Sequence, residues 1–249
     1  MTRLKPPGIS SATRCYRRIV MADSERKPLP KASELIVIQR DSFPILDSYP
    51  IEALTDSTYA RLEKLASWFV LRAPLTELTR LANPSLLDLF ESGQNPSKGS
   101  RSANKSSFDS DFLSPFGLDC TKFEFVYSRK MVKPQMDDLG LLSNSSSAFE
   151  DMTERCVCFV GKNDSGKEDS CAASFCRHIR NSIAHGRIAI IENDGEPAVF
   201  FEDGAPPRDI DYGVSKPAGQ KLEIRFRAVI KLSTIEGMYR LLADSKARL

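Results

Sequence analysis

Both histidines of this chain, His178 and His185, fall within thirteen residues, Phe175-Cys-Arg-His-Ile-Arg-Asn-Ser-Ile-Ala-His-Gly-Arg187, beside Arg177, Arg180 and Arg187. Histidine is the side chain whose unperturbed pKa lets it exchange protons near neutrality. Arginine presents a planar, permanently charged fork that fits phosphate oxygens. Concentrating the whole histidine supply beside a cationic cluster points to acid/base work on a phosphodiester.

The spacing says how these groups are held. On a helix, Ala172, Cys176, Ile179 and Ile183 fall at i, i+4, i+7 and i+11 and form a buried stripe. His178, Asn181 and His185 share a second, polar face. Gly186 supplies the left-handed residue that ends a helix, which puts His185 at the last helical position. The free carbonyls of a helix C-terminus favour a cationic side chain there. His178 lies two turns back, roughly 10.5 Å at 1.5 Å per residue, too far to share one scissile phosphate with His185. A reaction needing two imidazoles would draw the second from a symmetric copy of the chain.

Arg180-Asn-Ser-Ile-Ala-His185 resembles the Arg-x4-6-His signature of the HEPN superfamily, in its Arg-Asn-x-x-x-His form. The wider string from His178 to Arg187 is similar to the version in HEPN proteins of plasmids and other mobile elements. The resemblance covers about residues 165 to 205. It implies a mainly α fold, a HEPN-like helical bundle, and a homodimer with both motifs at the interface. It also implies RNA cleavage without a metal or other cofactor. Arg180, Asn181 and His185 take the catalytic positions, with Arg177, His178 and Arg187 as RNA contacts. A toxin or defence factor restrained by an antitoxin protein fits this reading. The alternative is a non-catalytic dimeric module that binds RNA, nucleotide or a partner protein.

A rival motif is weaker. Gly161-Lys-Asn-Asp-Ser-Gly-Lys167 meets the first half of a phosphate-binding loop, but Glu168 stands where Mg²⁺ needs a Ser or Thr. An acidic side chain there repels nucleotide phosphates. Val199-Phe-Phe-Glu-Asp203 imitates the apolar–acidic strand of such a site. Yet the interval between Lys167 and Ala198 already holds the motif helix and half a hairpin. A Gly/Ser/Lys loop before a helix is the commoner source of the string.

Composition sets the frame. Thirty-five basic against 33 acidic residues give a formal charge of +2, so any RNA contact comes from local clustering. Six cysteines are too few for a disulfide scaffold, and Cys156-x-Cys158 with Cys171/Cys176 lacks zinc spacing. Buried thiols in a reducing cytoplasm are the expectation. No apolar run approaches a membrane span. Residues 1–30 read as a disordered basic start without a secretory h-region, and Met21 is a second candidate initiator.

Residues 31–249 read as one HEPN-like domain. Leu35–Ile38 is a short strand or extended lead-in, and a helix runs from Asp56 to about Leu71. Pro74 ends it, and further helices are expected over 75–82 and from Asn83-Pro84 to Phe90. Residues 97–110, with six serines, and 143–147, with four, read as flexible loops. Phe123, Phe125 and Tyr127 alternate as a strand. Phe149–Val160 reads as a helix, with a buried strand over Cys156–Val160 as the alternative. After the motif, Ile188–Ile191, an Asp194-Gly195 turn and Val199–Phe201 form a hairpin. Leu222–Leu232 is apolar at every second position, an amphipathic strand. Ser233-x-x-Glu236 is a capping box for a last helix.

Overall fold

The computed structural model describes residues 28–43, 56–72, 98–149, 154–162, 168–193, 195–216 and 218–246. Residues 1–27 of the basic start expected over 1–30, and the helices expected over 75–82 and from Asn83-Pro84 to Phe90, lie outside them.

Along the described chain, strand β1 (Val37–Gln39) precedes helix α1 (Asp56–Ser67), which runs into a π-type turn, Trp68–Arg72. Helix α2 (Lys98–Phe108) follows, then β2 (Phe123–Val126), α3 (Arg129–Asp138) and β3 (Arg155–Phe159). The motif helix is α4 (Cys171–Ala184). The chain then forms β4 (Ile188–Asn193), β5 (Glu196–Ala205), β6 (Lys221–Lys231) and α5 (Leu232–Lys246).

The architecture corrects the expected helical bundle with a small antiparallel sheet. All six strands join one mixed sheet, in the order β2-β3-β6-β5-β4, with β1 pairing the far half of β6. β2 and β3 run parallel and the other pairs antiparallel. Long β6 makes this possible. Its Phe226–Val229 half pairs β3, its Lys221–Glu223 half pairs β1, and its other edge pairs β5.

Helices cover both faces, so the sheet is the middle layer. On one face Leu65 of α1, Phe108 of α2, Phe175 and Ile179 of α4 and Met238 of α5 pack on Cys156, Val199, Phe201 and Phe226. On the other, Val132 and Met136 of α3 join Leu141 and Phe149 against Phe200, Ile224 and Val229. A sheet buried on both sides needs apolar residues at successive positions, and Ala198-Val-Phe-Phe201 supplies them, all fully buried.

Two further differences have physical causes. The Ser-rich stretch expected to be a loop is α2 and a following turn. Four serines in it cost roughly 0.5 kcal/mol each in helix propensity. Burying Phe108, Phe112 and Leu113, each at most 1% exposed, returns roughly 1.5–3 kcal/mol apiece. Packing wins. The second concerns Phe149–Val160, where the strand alternative holds: Ser146–Phe149 is a 3-10 turn and Arg155–Phe159 is β3. Cys156, Val157 and Cys158 are wholly buried between the two helical layers, where an extended chain lays alternate side chains into both.

Candidate functional site

Helix α4 is pinned at its start. Ser170 is the N-cap, its hydroxyl accepting from the Ala173 N–H at 3.0 Å. Asn104 of α2 accepts from the Cys171 N–H at 3.0 Å, so a second orphan donor is satisfied from another helix. Ala172, Cys176 and Ile179 are buried as their spacing predicts, and Ile183 is half-buried at the helix end.

The end of α4 is a complete Schellman motif. His185 is the C-cap, with φ −97° and ψ 5°, one position past the last helical residue. Gly186 follows at φ +64°. The Arg187 N–H donates to Ser182 at 2.8 Å and the Gly186 N–H to Ile183 at 3.0 Å. The backbone under His185 is therefore fixed while its side chain is exposed.

His178 does something else. It is 9% exposed and lies flat on Phe226, with ring centroids 5.1 Å apart and planes 6° from parallel. Nδ1 is 2.7 Å from Asp203 Oδ2, and Nε2 is 3.0 Å from the Phe159 carbonyl. Both ring nitrogens thus face oxygen acceptors. The Asn181 amide also donates to Asp203 Oδ2, at 3.2 Å, and its own oxygen accepts from Arg180 Nη1 at 3.2 Å. A continuous chain thus leads from the β3 carbonyl through His178, Asp203 and Asn181 to the exposed guanidinium of Arg180.

The remaining arginines are occupied. Arg177 pairs with Asp169 at the start of the helix. Arg187 is 6% exposed and pairs with Glu202, while its Nη1 donates to the Arg40 carbonyl at 3.0 Å. Arg227 meets the same Glu202 at 2.8 Å and donates to the Leu141 carbonyl at 2.7 Å. Of the six residues singled out by sequence, the structure puts Arg180 and His185 at the surface and Asn181 just beneath. Arg177 is half-buried, and His178 and Arg187 are inside.

Asp203 was missed by sequence reasoning in this role. Its only signal was the apolar–acidic run Val199–Asp203, weighed there as an imitation of a nucleotide-binding strand. Residues 163–167 of the rival loop lie outside the described residues, and Glu168 after it pairs with Arg101 of α2. Thiol chemistry is disfavoured near the motif. Burial pushes the Cys171 and Cys176 thiols up to about 12, far from the reactive thiolate. No group of His, Cys, Asp and Glu with metal-holding geometry occurs among the described residues.

An open cleft of about 450 Å³ lies beside His185, lined also by Arg40, Asp41, Phe43, Asp203 and Leu222. No described helix is long and apolar enough to cross a membrane. No curated protein and no solved structure matches the chain. Residues 125–236, from β2 through the motif helix into α5, match the family model described as HEPN pEK499 p136. This stretch, with the Arg180-to-His185 motif at its centre, belongs to the HEPN superfamily, in its plasmid-associated branch.

Proposed function

We propose that this HEPN-domain protein is an endoribonuclease that works without a metal, as a homodimer with the two motifs facing each other. The observation that carries the reading is the hydrogen-bonded chain from Phe159 to Arg180. It holds the motif rigid from beneath while Arg180 and His185 are left exposed. Side chains locked by packing and by supporting hydrogen bonds are what a reaction site requires.

His185 of one copy takes the proton of a ribose 2′-OH, whose oxygen attacks the adjacent phosphorus. His185 of the second copy gives a proton to the departing 5′-oxygen. Each transfer contributes typically 10²- to 10⁴-fold. Arg180 stabilises the charge that builds on the phosphorane oxygens, and Asn181 fixes the Arg180 fork. The products are a 2′,3′-cyclic phosphate and a 5′-hydroxyl, and DNA, lacking the 2′-OH, is not cut. His178 acts indirectly, by holding Asp203 and so Asn181. In a cell this activity suits a toxin or defence factor restrained by a protein antitoxin.

The test is incubation of wild type and His185→Ala with structured RNA in EDTA, followed by analysis of the new ends. Cleavage by wild type alone, at least 10²-fold above the variant and leaving cyclic phosphate, is expected. Products with 5′-phosphate ends, or cleavage abolished by EDTA, would sink the mechanism. RNA binding without cleavage by a folded dimer would make the motif a recognition surface of a binding module.

A further inference from the structure

We propose that the cleft beside His185 is a nucleobase subsite selective for guanine, with Asp203 as the residue that reads the base. The inference rests on the nuclease reading for its choice of RNA as ligand. At about 450 Å³ the cleft has the volume of a small-ligand pocket, enough for one nucleoside. Phe43, Leu222 and Pro206 give it an apolar lining suited to a flat base.

Beside them the lining carries five charged or titratable side chains, Arg40, Asp41, His185, Arg187 and Asp203. Asp203 lines the cleft yet is only 4% exposed. Its Oδ2 is occupied by His178 and Asn181. Its Oδ1 takes no hydrogen bond from any described residue and is not sealed in the interior. That atom is an acceptor held in place by two donors on its twin oxygen. Asp41, exposed at the rim, is a second acceptor. Arg40, also at the rim, bonds Gln220 through Nη1, and a guanidinium has five N–H donors in all.

Carboxylates only accept, so the base must present donors to Asp203. Guanine offers two adjacent ones, N1–H and the 2-amino group, next to the O6 acceptor that Arg40 can meet. Adenine and cytosine each set a ring acceptor beside their single amino group, and uracil flanks its one N–H with two carbonyls. Each of these three turns an acceptor toward a fixed carboxylate. Setting an acceptor against that oxygen once a bound base has covered it from water is the physical source of the selectivity. Arg187 also lines the cleft: its two terminal nitrogens are engaged inside, its Nε is buried without a partner among the described residues, and its guanidinium lies 5.6 Å from the Phe43 ring centroid.

The experiment is calorimetric titration of the full chain with the 3′-monophosphates of guanosine, inosine, adenosine, cytidine and uridine. The guanosine nucleotide should bind at least tenfold tighter than the uridine nucleotide, and inosine, which lacks the 2-amino group, should lose part of that gain. Asp203→Asn should abolish the preference. Because that variant also disturbs His178, Arg40→Ala at the exposed rim is measured beside it and should weaken guanosine binding selectively. Equal affinities for all the nucleotides, or no measurable binding, would overturn the assignment. Oligonucleotide cleavage separates the two readings. Cutting with no regard to guanine removes the subsite and keeps the nuclease, whereas selective guanine binding with no cutting keeps the subsite and removes the nuclease.

Discussion

Glu202 is fully buried between Arg187 and Arg227, and around this one carboxylate the chain ties β5 to β6, the end of the motif helix and the carbonyls of Arg40 and Leu141. Two cations sharing one anion in the interior leave little slack. Replacing the set with apolar residues can be neutral, but removing one partner strands a buried charge and costs about 3–5 kcal/mol. Glu202→Ala, which strands two, is expected to lower unfolding stability by at least that amount in a denaturant titration. A loss below about 1 kcal/mol would show that water reaches the arginines. The same residue explains why Arg187, read from sequence as an RNA contact, is turned inward: its cluster in the chain is not its cluster in space.

At the scale of elements, the decisive feature is a bulge where β5 meets β6. Asp203 pairs with Phe226, but the next residue, Gly204, pairs with Ile224, so Arg225 is the extra residue. The bulge changes which face β6 presents. Phe226, Ala228 and Ile230 face the layer containing α4, while Leu222 and Ile224 face the layer containing α3. The strict alternation from Leu222 to Leu232 had implied one face throughout. The bulge also sets Asp203 under the motif helix.

Gly204 permits this approach, since a Cβ there would lie 2.6 Å from the Glu223 carbonyl oxygen. Gly204→Ala therefore forces backbone apart and should cost about 1–3 kcal/mol, together with a large loss of RNA cleavage through displaced Asp203. Gly186→Ala meets nothing within 4 Å and pays only for its positive φ, about 1–2 kcal/mol. Denaturant midpoints and cleavage rates measured on both variants check the contrast: Gly204→Ala leaving activity intact would disconnect the bulge from the site.

At the scale of the whole molecule, a sheet covered on both faces hides most of its thiols. Cys156, Cys158, Cys171 and Cys176 are buried and Cys120 is exposed. Burial raises all four buried thiols, Cys171 and Cys176 to about 12. Alkylation at pH 8 should modify Cys120 in the native protein and reach Cys156, Cys158, Cys171 and Cys176 only after denaturation, as read by peptide mass mapping. Ready modification of Cys171 or Cys176 without denaturant would mean that α4 lifts from the sheet on its own.

Much of this protein was legible without coordinates because the signals are local. The stripe at Ala172, Cys176 and Ile179, the glycine after His185, the alternation of β2, the strand period of β6 but not its change of face, and the hairpin around Gly195 depend on neighbours a few residues away. The Arg180-to-His185 motif was legible for the same reason, lying within two turns of one helix. What only the tertiary structure decided is non-local. β1 joins β6 across more than 180 residues, and the Ser-rich stretch becomes helical because Phe108, Phe112 and Leu113 find a core. His178 finds Asp203 twenty-five residues on only because a bulge sets that carboxylate beneath the helix. Helical and strand periods record which side of an element is buried. They carry no record of which distant element buries it, so the sheet and the support beneath the motif appear only when the layers are assembled.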